Sequence, residues 1–189
     1  METKIRCAWC EKDDLYRDYH DNEWGNPVYD DDTLFEFLVL ETFQAGLSWY
    51  TILKKRDHFR KAFDQFDYKK VALYNETKVQ ELMQNEGIIR NQLKIRGTIS
   101  NAVAFMKVQE EFGSFSKYIW GFVNHKPIVN NLKSMSEIKA TTEISDVLSK
   151  DLKKRGFKFV GSTVVYAHMQ ATGMVDDHVV NCWKRTVTA

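Results

Sequence analysis

The chain of 189 residues is long enough for one folded domain with a sizeable hydrophobic core. Hydrophobic residues make up 43% and aromatic residues 13% of it, which is typical of a globular protein and excludes an intrinsically disordered one. The net charge of +1 excludes a bulk polycation, but residues 11–41 carry eleven acidic side chains and residues 147–158 carry five basic ones. This uneven charge distribution allows local contact with a polyanion without non-specific binding by the whole surface.

The sequence has no targeting or membrane-spanning segment that we recognise. No apolar run reaches the roughly 18 residues of a membrane span, and the first seven residues have no apolar signal core. Three cysteines, an odd number, argue against a disulfide framework. We therefore expect a protein of a reducing, cytoplasmic compartment.

Prolines are rare, glycines separate apolar-periodic segments, and alternating strand patterns are almost absent. The sequence therefore predicts an all-α protein. After an irregular aromatic segment, Asp31 or Asp32 is predicted to cap a helix that ends near Glu41. Ser48 is predicted to cap a second helix, and a separate short helix around Phe59 follows it.

The middle of the chain continues this helical pattern. Asp67 and Asn75 are predicted to cap two short helices, and residues 88–112 to form one long helix. Ser114 is predicted to cap an aromatic helix, and residues 124–143 are predicted to be a loop.

The stretch from Glu41 to Trp49 follows an apolar run, where a carboxylate is costly to bury. Gly46 ends the helix, and Trp49 enters in the first turn of the next one. A carboxylate and a large aromatic plane can therefore meet at a helix–turn–helix corner. The alternative is a core tryptophan beside a solvated glutamate, and residue type alone favours that plainer interpretation.

Residues 145–173 have the pattern of a helix, a short hairpin and a second helix. The second glycine would let a phosphate approach the backbone, and the following helix N-terminus offers free N–H groups beside several lysines. This arrangement suits sequence-independent binding to one DNA strand, with an ordinary corner between two helices as an equal alternative. The residues assigned to DNA binding are Gly156, Lys158, Gly161, Ser162 and Thr163.

A possible metal site joins the two ends of the chain. His178 and Cys182 have the spacing of two ligands one turn apart on a helix, and the first twenty residues supply Cys7, Cys10 and His20. Two ligands from each end would complete a structural zinc site with no position for water. Five candidates compete for four places, because Cys7 and Cys10 have knuckle spacing and could displace His20. Simple packing of these side chains is the alternative, since the spacing is not a standard zinc-finger pattern.

Several of these motifs together resemble the DNA-3-methyladenine glycosylase I family, the constitutive bacterial branch of the helix-hairpin-helix DNA glycosylases. The similarity covers nearly the whole chain, from Arg6 to Cys182. It lies in residues 6–9, 19–25, 41–49, 153–161 and 177–180.

The resemblance implies a single helix-hairpin-helix glycosylase domain over residues 1–189, with two helical lobes and a pocket between them. It implies excision of N3-methyladenine from alkylated double-stranded DNA, as part of base-excision repair. Because residues 162–172 contain neither an acidic residue nor a lysine, we expect a monofunctional enzyme without strand cleavage. We expect it to act as a monomer.

The resemblance also assigns roles to individual residues. Glu41 becomes the carboxylate that recognises the base and is needed for catalysis, and Tyr19 and Trp49 bind the base, with Trp24 and Trp9 lining the pocket. N3-methylation makes the attached purine cationic, and a cation stacks well on an indole and pairs with a carboxylate. The structural zinc ligands become Cys7, His20, His178 and Cys182, which leaves Cys10 as an open competitor.

Two other classes of function fit part of the sequence. A non-catalytic DNA-binding module would use the same hairpin but would leave Glu41, Tyr19 and Trp49 without a role. A zinc-dependent hydrolase or deaminase would need an open metal position, and two cysteines with two histidines leave none.

Overall fold

A computed structural model of the chain describes residues 4–185, and these residues are mostly helical. The helices are α1 (Asp14–Asn22), α2 (Asp31–Gln44), α3 (Trp49–Ala62), α4 (Tyr68–Val71), α5 (Glu76–Gln84), α6 (Gln92–Phe112), α7 (Phe115–Gly121), α8 (Glu143–Lys154) and α9 (Ser162–Ala171). Short 3₁₀ turns cover Ala8–Cys10, Asp64–Phe66 and Met135–Glu137, and two short strands are β1 (Ile128–Val129) and β2 (Val175–Asp176). Within residues 4–185, no helix is both long and apolar enough to cross a membrane.

Helix starts follow from side chains that cap the free N–H groups of the first turn. The predicted caps Ser48, Asp67, Asn75 and Ser114 each accept a hydrogen bond from a backbone N–H two or three residues later, which confirms them. The cap of α2 is Asp30, one residue before the predicted pair.

Three helix boundaries differ from the prediction. Phe59 lies within α3, which is a single helix, so the expected separate short helix around it is wrong. The long helix α6 begins only at Gln92, behind the cap Asn91. Helix α8 begins at Glu143, because Thr142 and the side chain of the third helical residue form a reciprocal capping box.

The predicted loop of residues 124–143 contains strand β1, which pairs in parallel with β2. Ile128 lies opposite Val175, and Val129 lies opposite Asp176. Two-residue strands are too short to show alternation, so the sequence did not predict them. The pairing places the residue after β1, Asn130, near the chain that leaves β2.

Helix α2 forms the centre of the fold. Every residue from Phe37 to Phe43 is buried, and the helix packs against α3, α6, α7 and α9. A helix that is apolar on all sides belongs inside a protein, where it can bury its whole circumference. Its last turn carries Glu41 into this interior.

The segment between α8 and α9 is held against α6 by one side chain. The amide of Asn101 accepts a hydrogen bond from the backbone N–H of Lys158 at 2.6 Å and donates to the carbonyl of the same residue at 3.1 Å. Gly156 ends α8 with φ of +95°, in the left-handed region that favours glycine. The connection between α8 and α9 is therefore held in one conformation against α6.

Candidate functional site

A cavity of about 190 Å³ opens between the N-terminal segment, α1, α2, α3 and α9. All five residues that the sequence assigned to base binding or catalysis contribute to its wall. The lining residues are Trp9, Tyr16, Tyr19, Trp24, Glu41, Gln44, Trp49, Met135, Ile138, Ala167 and Gln170.

Aromatic rings form most of this wall and support one another. Trp49 lies with its ring centroid 5.4 Å from Tyr19 and stacks on Phe37 at 6.4 Å. Trp9 meets Trp24 edge to face at 5.1 Å. Rings at these distances are in favourable contact, so they form a rigid apolar surface for a flat ligand.

Glu41 is a buried carboxyl group in the apolar wall. Only 4% of its surface is exposed, and burial raises its pKa from 4.5 to about 8. Among the described residues, neither its Oε2 atom nor Nε1 of Trp49 has a hydrogen-bond partner. Unpartnered buried polar atoms are rare in folded proteins, and two in one cavity indicate a polar ligand.

The sequence analysis missed part of the cavity wall. Tyr16 is three residues before Tyr19 on α1, and this helical spacing could have found it. Burial, followed by the charges of Cys10 and Glu41, raises its pKa to about 12. The other missed residues, including Gln170, come from α2, α9 and the loop around the third 3₁₀ turn. No local pattern shows that these segments meet.

A second buried cluster lies near the cavity. The ligand atoms of Cys7, His20 and Cys182 all lie within 4.8 Å of one another. Cys10 is outside this group, and its thiol donates to the carbonyl oxygen of Cys7 at 3.1 Å. The hydrogen bond between the two thiols lowers the pKa of Cys182 and raises that of Cys7.

The fourth predicted ligand, His178, lies beside this group with its ring centroid 5.1 Å from that of His20. The predicted helix carrying His178 and Cys182 is wrong, because residues 177–185 form only turns and irregular chain. The i,i+4 spacing suggested a helix here, but the last described helix, α9, ends at Ala171, and strand β2 lies between it and His178. Gly25 permits the close packing, because a Cβ atom there would lie 2.5 Å from Cε1 of His178.

Both imidazoles are oriented by carboxylates. Nδ1 of His20 lies 2.8 Å from Oδ1 of Asp21, and Nδ1 of His178 lies 2.7 Å from Oδ1 of Asp176. An ionised carboxylate only accepts, so each Nδ1 carries the proton and each Nε2 keeps its lone pair. Nε2 of His178 has no hydrogen-bond partner in the part of the chain that the structure describes. Two sulfurs and two such nitrogens are a donor set that fits a closed, tetrahedral metal site.

The hairpin between α8 and α9 presents an uncapped helix N-terminus. Gly161 is the N-cap of α9, and no side chain within residues 4–185 caps this helix. The hydroxyl of Ser162 is instead 2.8 Å from that of Ser145. A Cβ atom on Gly161 would meet nothing within 4 Å, so the approach to the backbone is open. Both Lys158 and Thr163 are exposed.

The basic side chains near this N-terminus differ in whether they are free to bind an anion. Lys150, Lys153 and Lys154 line a surface groove that also reaches Ser162. Arg155 is committed elsewhere, because it forms ion pairs with two acidic side chains at 2.6 Å each. The three lysines are therefore the cations that this groove offers to an anion.

The fold and these sites together define a class of protein: a helical protein with an aromatic, carboxyl-bearing pocket for a flat polar ligand, and with an open helix N-terminus on the helix that lines the pocket. The family model described as methyladenine glycosylase matches residues 9–185, so the chain belongs to the methyladenine glycosylase family. This confirms the resemblance found in the motifs.

Individual relatives agree with this assignment. DNA-3-methyladenine glycosylase 1 of Escherichia coli (strain K12) is 52% identical over 177 residues, which cover 94% of this chain and 95% of the relative. A crystal structure of 3-methyladenine DNA glycosylase I superposes with a TM-score of 0.94 at 47% identity, over 96% of this chain and 100% of that one. A variant of 3-methyladenine DNA glycosylase I in complex with 3-methyladenine has a TM-score of 0.94 at 36% identity, over 97% and 99% of the two chains.

Proposed function

We propose that this chain is a DNA glycosylase that hydrolyses the N-glycosidic bond of N3-methyladenine in alkylated double-stranded DNA and releases the free base. The observation that carries the proposal is the buried, unpartnered carboxyl group of Glu41 in an aromatic cavity. The family membership and the relative that holds 3-methyladenine support the same activity.

The lesion is selected by its charge. A base inside a duplex cannot be reached, so the nucleotide is flipped out and the base enters the cavity, where Trp49 and Tyr19 contact its face. Trp24 and Trp9 line the remaining wall. The attached N3-methylated purine is a cation, and a cation beside Glu41 favours the ionised carboxylate, which burial alone disfavours. Normal adenine has no such charge, so it does not offset the free energy needed to ionise the buried Glu41.

Catalysis follows from the same contact. The cationic purine is already a good leaving group, so it needs little general-acid help. Glu41 and the aromatic wall hold it in a low-dielectric pocket while the bond breaks. Helix α9 carries no Asp, Glu or Lys, so it supplies neither a carboxylate nor an amine for a Schiff base. The enzyme is therefore monofunctional and leaves the DNA strand intact.

The proposed DNA contact is the hairpin of a helix-hairpin-helix motif. Gly156 shapes the turn, and Gly161 opens the backbone at α9, whose first N–H groups belong to Ser162 and Thr163. These groups would bind backbone phosphates at the positive end of the helix, with Lys158 adding charge. The protein then acts as a single domain over residues 1–189, as a monomer, with its pocket between two helical lobes.

The metal is zinc in a structural role. Cys7, His20, His178 and Cys182 would hold it, and the ion would join the N-terminal and C-terminal segments beside the pocket. Four protein ligands leave no position for water, so the ion supplies no chemistry to base release. Cys10, whose thiol is bonded to a carbonyl oxygen, stays free.

The test is the release of free bases from methylated DNA, resolved by chromatography. Wild type should release N3-methyladenine, and Glu41→Gln should lose most of this activity while it stays folded. Glu36→Gln is the matched control, because Glu36 lies on the same helix but pairs with Arg60 at 2.8 Å, away from the cavity. No release by folded wild-type protein, or undiminished release by Glu41→Gln, would show the proposal to be wrong.

A further inference from the structure

A polar side chain in the cavity wall, Gln170, and the buried carboxyl group bonded to it take no part in the function proposed above. Gln170 of α9 lines the cavity, and its Nε2 atom donates to Oδ2 of Asp177 at 2.7 Å. Asp177 itself is 1% exposed. A carboxylate this deep is costly unless donors surround it, so its position needs an explanation.

Two further side chains hold Asp177 in place. The hydroxyl of Tyr166 donates to Oδ2 at 2.7 Å, and Nδ2 of Asn130 donates to Oδ1 at 2.6 Å. Asn130 follows β1 and Asp177 follows β2, so the parallel pairing of the two strands brings them together. Three donors, two from α9 and one from the residue after β1, thus fix the carboxylate.

This carboxylate determines which way the amide of Gln170 points. Oδ2 of Asp177 accepts from both Tyr166 and Gln170, and the amide nitrogen of Gln170 is the atom that faces it. The oxygen, Oε1, is then the amide atom that remains for the cavity. Gln170 therefore presents an acceptor whose orientation is set by a rigid buried network.

We propose that Gln170 accepts a hydrogen bond from the exocyclic amine of the flipped N3-methyladenine, and that Asp177 is its positioning residue. The inference rests on the proposed function. While N3-methyladenine is attached to deoxyribose, its exocyclic amine is its only N–H group, and this amine has two hydrogens. Glu41 and Gln170 supply two acceptors in one cavity.

The same pair of acceptors disfavours a guanine lesion. N3-methylguanine carries a carbonyl oxygen where N3-methyladenine carries the amine. That oxygen would face acceptors and leave buried polar groups unpaired, which is the strongest basis for rejecting a close analogue. Gln170 is thus a specificity-determining residue, and the protein should release the adenine lesion in preference to the guanine lesion.

The experiment measures release of both lesions from one sample of methylated DNA under single-turnover conditions. Gln170→Met keeps the size and flexibility of the side chain but removes the acceptor, and should lower the adenine-to-guanine ratio by about fivefold, the effect of one neutral hydrogen bond. Asp177→Asn can both donate and accept, so it frees the amide of Gln170 to turn over and should lower the ratio by a smaller factor.

The chain offers a matched control in Gln109, whose Nε2 donates to Oδ2 of Asp31, also at 2.7 Å, outside the cavity. Gln109→Met removes the same kind of bond and should leave the ratio at the wild-type value. A variant that is merely less stable releases both bases more slowly by the same factor. The ratio therefore changes only if the substituted residue contacts the base or positions a residue that does.

The possible results are distinguishable. A wild-type ratio in folded Gln170→Met would overturn this inference, while N3-methyladenine release by wild type would still support the proposed function. If Gln170→Met does not fold, an unchanged ratio in Asp177→Asn overturns the inference. No release by wild type would overturn both.

Discussion

The buried carboxyl group of Glu41 should make the stability of the protein depend on pH in a defined direction. Its pKa is about 8 in the folded chain against 4.5 for the free group. Between these values the folded state binds more protons than the unfolded state, because the unfolded chain has already ionised. The free energy of unfolding therefore falls as pH rises through this window, and the loss is complete above about pH 8.

The size of this effect follows from the shift. The difference between 4.5 and about 8 corresponds to about 5 kcal/mol in total, of which about 3 kcal/mol falls between roughly pH 5 and pH 8. Glu41→Gln removes the titrating group. If the buried amide in Glu41→Gln destabilises the variant, it lowers the free energy of unfolding by the same amount at every pH and leaves the pH dependence unchanged.

The assay is urea unfolding of wild type and Glu41→Gln at several pH values, with the metal content held equal. The stability of Glu41→Gln relative to wild type should rise by about 3 kcal/mol from roughly pH 5 to pH 8. Every other titrating group contributes equally to both proteins and cancels. Glu110→Gln, at an exposed position on α6, is the control and should stay within about 0.5 kcal/mol of wild type. A constant difference between Glu41→Gln and wild type at all pH values would refute the burial argument.

Four other results are expected. Base release at low substrate concentration should rise with pH up to about 8, because the ionised form of Glu41 complements the cationic base; a flat profile from about pH 6 to pH 9 would contradict this. Tyr19→Phe removes the hydroxyl that Tyr19 would offer to the bound base and should weaken release of N3-methyladenine by roughly three- to tenfold in single-turnover kinetics; an unchanged rate would exclude a role for this hydroxyl. Cys182→Ser, or removal of the metal by a chelator, should lower the melting temperature and the bound zinc measured by mass spectrometry; equal melting with and without metal would argue against a structural site. Gly161→Ala should weaken binding to undamaged DNA by roughly tenfold in fluorescence anisotropy with little change in melting, because a Cβ atom there meets no protein atom but stands where a phosphate would approach; wild-type affinity would exclude the contact.

Much of the local structure could be predicted, because short-range interactions decide it. The N-caps Ser48 and Ser114 bond to N–H groups three residues away, so the residue type and its position suffice. The meeting of Glu41 and Trp49 was predicted for the same reason, since only a short turn separates them. Their place in one cavity agrees with the prediction.

The sequence predicted the wrong local structure where one residue spacing is compatible with both a helix and irregular chain. The i,i+4 spacing of His178 and Cys182 predicted a helix, but the short strand β2 precedes them and the chain continues in turns. The ligand atoms of Cys7, His20 and Cys182 are nevertheless close together, because the two chain ends fold back on each other. Residue types thus indicated a candidate metal site, but they did not predict the backbone that forms it.

The sequence by itself determined the family, most helix starts and the residue types of the proposed catalytic and metal groups, since all of these depend on motifs or on neighbours a few residues apart. Only the tertiary structure decided which side chains complete the cavity. Gln170 reaches it because α9 packs on α2, and Asp177 meets Asn130 because two-residue strands pair across 47 residues of chain. Such contacts depend on how buried helices fill space around one another, and no spacing along the chain encodes them.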